Sequence, residues 1–179
     1  MPEFTMHILI DGYNLIRQSD TLRRYEKQSL ETGRNALIAS LSSYKKRKGH
    51  KITVVFDGWE SGSAQEERNF QAGINIIYSS RGEKADEVIK RLTAQSDEEI
   101  IVVSSDREIS SFAIRRGKTA IPSPEFEMIM TKTINGPQTF EFEEEKEDEE
   151  EYGRPFKKKG PARRLSRAQR NAQTKIKKL

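Results

Sequence analysis

Aspartate recurs at one kind of place in this chain. Asp11 closes the apolar run in "ILIDG", Asp57 closes "VVFDG" and Asp106 closes "VVSSD", while Asp86 follows a further run by a few residues, in "GEKADEVI" at a helix start. If the strands lie so that three of these carboxylates come within about 5 Å, ionising all of them is costly unless a cation is shared. A hard ion, Mg2+ or Mn2+, takes oxygen ligands and keeps several waters, one of which can serve as a nucleophile at phosphorus. The chemistry implied is phosphodiester hydrolysis. Taken singly, each aspartate is more simply a helix N-cap that accepts a hydrogen bond from an orphan backbone N–H. Asp86, followed by Glu87, has the strongest local claim to that role, and Asp57-Gly58 also reads as a turn. Four acids at corresponding strand ends are harder to explain by capping.

The neighbours of these acids suit the same chemistry. Gly12, expected at the substrate, permits close backbone approach or positive φ after Asp11, and the Asn14 amide either positions a water or phosphate or caps the next helix. Ser104 and Ser105 offer hydroxyls to a metal cluster or to the scissile phosphate, and Arg107 places a cation beside Asp106. The segment "SSRGEKAD" is polar, basic and glycine-containing, with Arg81 and Lys84 suited to a phosphate backbone. It lacks the spacing of a Walker A loop, so nucleotide hydrolysis by that route has no support.

These residues need a scaffold that brings strand ends together. Residues 6–10, 52–56, 74–78 and 100–103, with 119–121 as a weaker fifth, are short apolar runs without polar alternation, as strands covered on both faces require. Between them, residues 29–48, 85–93 and 106–116 carry apolar residues at helical spacing, and the first of these ends on Lys45 to Lys48 and then Gly49, a helix C-terminus signature. Pro122 to Pro124 introduce one more helix over 124–133. Alternating strands and helices predict an open, mostly parallel α/β sheet, in which ligands sit at the carboxyl ends of strands where the strand order reverses.

Composition bounds the rest. The chain has 179 residues, 34% hydrophobic and 34% charged, with a mean hydropathy of -0.82. That suits one domain plus a solvated segment. There is no cysteine, which excludes disulfides and thiolate zinc sites, and His7 and His50 are the only imidazoles. No apolar run approaches about 18 residues and no signal-peptide pattern opens the chain, so a soluble, cytoplasmic protein without membrane partners is expected. The opening "MPEFT" adds no pattern. The boundaries expected are a domain over 6–133, an acidic linker over 134–151 and a basic tail over 152–179, disordered or helical. Residues 141–151 hold nine acids and one lysine, and residues 152–179 hold eleven bases and no acid. Such a tail either stays solvated or neutralises phosphates of a nucleic acid, with Phe156 available to stack on a base.

The motifs "ILIDGYNLI", "VVFDG", "GEKADEVI" and "IVVSSDREI", in this order and spacing, resemble the YacP-like branch of the NYN ribonucleases, relatives of the PIN-domain nucleases. The resemblance covers 6–133. It implies a PIN-like three-layer α/β/α fold, dependence on Mg2+ or Mn2+, and endonucleolytic cleavage of RNA. By motif position it implies Asp11, Asp86 and Asp106 as metal-binding carboxylates, Asn14 as the supporting asparagine, and Asp57 as an outer-sphere or substrate-side residue. It also implies mRNA as substrate and the ribosome as partner. No histidine stands where a general base would, which leaves activation of the water to the cation. The rival readings are a non-catalytic RNA- or ribosome-binding adaptor on the same fold, and a metal-dependent phosphatase or DNA-directed flap nuclease.

Overall fold

The computed structural model describes residues 5–58, 63–136 and 166–179. Its elements alternate as β1 (His7–Asp11), α1 (Gly12–Gln18), α2 (Asp20–Glu26), α3 (Leu30–Lys48), β2 (Lys51–Phe56), β3 (Glu67–Gln71), β4 (Ile74–Tyr78), α4 (Ala85–Gln95), β5 (Ile100–Val103), α5 (Arg107–Arg115), β6 (Thr119–Ile121), α6 (Ser123–Asn135) and α7 (Arg167–Ile176). The strands form one sheet in the order β3-β4-β2-β1-β5-β6. Every pairing is parallel except β3 with β4.

The apolar runs become central strands because both of their faces are covered. Ile8, Ile10, Val54 and Ile101 face a layer built by Leu15, Leu37, Leu41, Tyr44 and Phe126. Leu9, Val55, Ile77 and Val102 face the opposite layer, where Val88 and Ile89 of α4 and Ile109 and Ala113 of α5 pack. The result is the expected three-layer α/β/α arrangement. Helix α3 begins on Ser29, whose hydroxyl accepts from the Thr32 N–H, and stops at Gly49, where φ is 72°. A residue with a Cβ is strained in that left-handed conformation, so glycine ends the helix there.

Two parts of the fold were not legible from apolar pattern. Strand β3 is exposed along its whole length and joins β4 through Ala72 and Gly73, both at positive φ, with Gln71 opposite Ile74. This two-residue hairpin adds an edge strand held by its turn and its backbone pairing. The second part is α7, in the basic segment. It opens on a reciprocal capping box between Ser166 and Gln169. Beyond it Leu179 is only 2% exposed and its carbonyl accepts a 2.8 Å hydrogen bond from the Tyr44 hydroxyl. Lys175 pairs with Glu99 beside it. Charge dominates the reading of this segment, yet Ile176 and Leu179 join the main hydrophobic cluster. The acidic run 141–151 and the first part of the basic segment lie outside the described residues.

The chain lays down β1, moves outward through β2 to the β3–β4 hairpin at the edge, and returns to place β5 on the other side of β1. The strand order therefore reverses between β1 and β5, and the carboxyl ends of those two strands form the crevice where open α/β sheets bind ligands.

Candidate active site

The crevice brings the strand-end acids into one cleft of about 860 Å3, lined among others by Asp11, Asn14, Asp57, Lys84, Asp86 and Asp106. Asp11 ends β1 and is also the N-cap of α1, accepting from the Asn14 N–H at 3.3 Å. Asp106 caps α5, its Oδ1 accepting from the N–H groups of Glu108 and Ile109 at 2.7 and 3.2 Å. Ser104 joins the two. Its hydroxyl donates to Asp11 Oδ2 at 3.2 Å and accepts from the Asp106 N–H at 3.1 Å. Asp86 behaves differently from its local sequence signal. The N-cap of α4 is Lys84, which makes no side-chain cap bond, so Asp86 sits in the first turn with its carboxylate facing the cleft and the capping reading is corrected. Asp57 lies exposed just past β2, on a turn pinned by the Gly58 N–H donating to Ser79 Oγ at 2.9 Å.

Asn14 is held in one orientation. Its Oδ1 accepts from the Ser105 N–H at 2.9 Å and from the Ser123 hydroxyl at 2.7 Å. A backbone N–H can only donate, so the oxygen must face Ser105 and the amide cannot be flipped. What remains for the cleft is the NH2 group, a donor suited to a phosphate oxygen and not to a cation.

The electrostatics show carboxylates under pressure. Burial pushes Asp11 up to about 6, reinforced by the nearby charges of Asp86 and Asp106 and opposed by the Asn14 N–H and the Ser104 hydroxyl. Asp86 is also raised, by burial and by Asp106, with Lys90 and Lys84 opposing. Three mutually repelling oxygen donors in one cleft match a hard divalent cation in kind. Among the described residues no three acid or imidazole side chains stand close enough together to hold a cation as they are.

The Asp11 shift has a measurable sign. Folded Asp11 takes up a proton at higher pH than the unfolded chain, whose carboxyl titrates near 3.8. Its contribution to stability is therefore present below about 3.8 and lost as pH rises through about 6. In chelator, Asp11→Asn is expected to match wild type near pH 4 and to exceed it at pH 7 by about 3 kcal/mol. Urea unfolding of both proteins at pH 4.5, 5.5 and 7 reads that difference, and a constant gap across this range contradicts it.

The YacP-like NYN domain is matched over residues 8–178. The chain belongs to the YacP-like NYN family. That makes it a nuclease-family protein of PIN-like ancestry, and the matched span runs on through α7. The "Uncharacterized protein YacP" of Bacillus subtilis is 31% identical over 86 residues, 48% of this chain and 49% of that protein. The match thus spans about half the length of that relative. The crystal structure of Rae1 (YacP) from Bacillus subtilis superposes with a TM-score of 0.59 at 25% identity, covering 72% of this chain and 75% of that one. A mutant of the same protein gives 0.59 at 23%, over 72% and 76%, and supports the fold alone. Among the described residues no helix is long and apolar enough to cross a membrane.

For this family member several expected substrate contacts fall elsewhere. Gly12 is buried against the Phe56 ring and lies outside the cleft lining. Ser105 is tied inward, its N–H on Asn14 and its hydroxyl accepting from the Ser123 N–H at 3.2 Å. Arg81 and Arg107 are exposed and outside the lining, and the Arg81 N–H donates to the Ser63 carbonyl. Lys84 does line the cleft, on a segment braced by Arg91, which pairs with both Glu83 and Glu66. The lining residues that sequence reading missed include Tyr13, Arg17, Arg34 and Tyr78. Arg17 follows Tyr13 by four residues and was findable from helical spacing. Arg34 and Tyr78 come from α3 and β4, and nothing local marks them.

Proposed function

We propose that the protein is a Mg2+- or Mn2+-dependent endoribonuclease that cuts single-stranded RNA, mRNA in the cytoplasm above all. The observation that carries this reading is the meeting of Asp11, Asp86 and Asp106 at the reversal of strand order, each half-buried or more and near enough for their charges to add to burial in raising the pKa of Asp11 and Asp86. A binding module gains nothing from acids clustered where a phosphate must approach, which disfavours the adaptor reading.

In this proposal Asp11, Asp86 and Asp106 hold the cation. When bound, the ion supplies positive charge against the phosphate and makes the attacking water more acidic. The chain's own groups do the rest. Capping bonds and Ser104 fix Asp11 and Asp106 before substrate arrives, so little reorganisation is left for the reaction. The Asn14 NH2 donates to a non-bridging phosphate oxygen, in an orientation set by Ser105 and Ser123. Lys84 offsets charge at the same wall. Water then attacks phosphorus in line and gives up a proton to solvent, the P–O bond to the leaving nucleotide breaks, its oxygen takes a proton from solvent, and the strand is cut internally.

The purified protein incubated with matched single-stranded RNA and DNA in Mn2+, Mg2+ or EDTA tests this, beside an Asp11→Asn/Asp106→Asn double variant. Cutting of RNA that needs the metal and that the variant lacks is the expected result. Equal inertness of both proteins on free RNA and on ribosome-bound mRNA, with RNA binding retained, would instead support the adaptor.

A further inference from the structure

The cleft has a second half that the acid cluster does not use. Tyr78 stacks on Phe56 with centroids 5.7 Å apart and rings 24° from parallel, and Tyr13 meets Phe56 edge-on at 5.2 Å. Over this aromatic floor lies the Arg34 guanidinium, its Cζ 5.6 Å from the Tyr78 centroid and its Nη1 donating to the Tyr13 hydroxyl at 2.8 Å. One of its five N–H donors is thereby used, and the rest of the fork is held rigid by a ring beneath and a hydroxyl at its side.

Charge shows what that fork is for. Among the described residues the cleft is lined by five acids and three bases, Arg17, Arg34 and Lys84. A nucleic acid strand entering such a cleft is repelled unless a cation there is free to meet it. Arg17 pairs with Glu26 at 3.3 Å, while Lys84 is exposed and offers only a point charge near Asp86. Arg34 forms no ion pair among the described residues. A half-buried guanidinium with a fixed, partly unused fork and no carboxylate partner is a site for a bidentate phosphate. Tyr13 stands two residues after Asp11 at the same helix start, and Arg34 lines the same cleft as the carboxylates.

We infer that Arg34, oriented by Tyr13 and Tyr78, grips a phosphodiester adjacent to the one that is cut, and so sets the path of a single strand across the cleft. This rests on the nuclease reading for the strand's direction, and its test is independent of cleavage. Binding of a fluorescein-labelled single-stranded RNA octamer is measured by anisotropy in EDTA, over a salt series. Arg34→Gln is expected to raise Kd about tenfold or more and to flatten the log Kd against log salt plot by about 0.7, one phosphate's worth. Arg34→Lys should keep the salt slope and recover only part of the affinity, because an ammonium is a point charge that neither ring nor hydroxyl can hold in a fork. Tyr13→Phe should weaken binding less and leave the slope alone. Arg24→Gln, an exposed charge loss on α2, is the control, and unchanged unfolding midpoints exclude misfolding. An Arg34→Gln Kd within twofold of wild type overturns the inference even if the wild type cuts RNA. A tenfold loss of binding in a protein that never cuts would uphold the grip and reject the nuclease. A wild type that binds no RNA overturns the grip outright.

Discussion

Asp106→Asn is expected to lower cleavage about a thousandfold or more while leaving the fold intact. The reason lies in the two roles of that carboxylate. Its Oδ1 caps α5 through Glu108 and Ile109, and an asparagine oxygen does the same almost as well. What the variant lacks is the charge on Oδ2, where the proposed cation needs it. A thermal-shift series with Mn2+ separates the roles without any substrate. Wild type should gain stability as the ion is added, as any ligand selective for the folded state requires, and the variant should gain little. Asp86→Asn should give the same activity loss, since Asp86 caps nothing. Retention of a tenth of wild-type activity in either variant would remove that residue from the ligand set, and a large drop in unfolding midpoint for Asp106→Asn would make its capping role the main one.

Gly12→Ala is expected to be the most damaging single methyl group in the site. A Cβ there would lie 2.4 and 2.6 Å from Phe56 ring carbons and 2.9 Å from Val54 Cγ1. Phe56 has no exposure and is held between Tyr13 and Tyr78, so the ring has nowhere to go. Overpacking of this kind costs about 3 kcal/mol, a drop of about 6–12 °C in unfolding midpoint for a chain of this size. The strain falls on the turn between Asp11 and Asn14, so activity should decline further than the lost stability accounts for. Phe56→Leu in the same chain should restore part of the midpoint, and a double-mutant cycle measures the coupling. Strict additivity of the two changes would show that the ring is not the obstacle.

Much of this was written locally. Apolar runs rich in Ile and Val, each closing on or near an aspartate, specified buried parallel strands with acids at one edge. Ser29, the basic last turn and Gly49 specified where the longest helix starts and stops. These features are legible because backbone propensity, capping and period depend on residues within one or two turns of each other. The motifs around Asp11, Asp57, Asp86 and Asp106 were also sufficient to point to the family to which the chain belongs.

The rest was decided by residues far apart in sequence. Strand order put β5 beside β1, and only that lets Ser104 bridge Asp11 and Asp106, and lets Ser105 and Ser123 turn the Asn14 amide toward the cleft. Capping preference gave Asp86 a rival claim to the helix end, while the tertiary structure makes Lys84 the N-cap and sets Asp86 in the cleft wall. Gly12 read as a substrate contact and proved to be the space a buried ring needs. Strand β3 has no apolar face to announce it, and Leu179 docks from a segment whose only charges are basic. Arg34 became a candidate phosphate grip only through Tyr13, 21 residues away, and Tyr78 on another strand. A sequence window carries the propensity of an element. It does not carry which elements become neighbours, since that is set by burying every apolar face of the sheet at once, and the chemistry of this cleft depends on that arrangement.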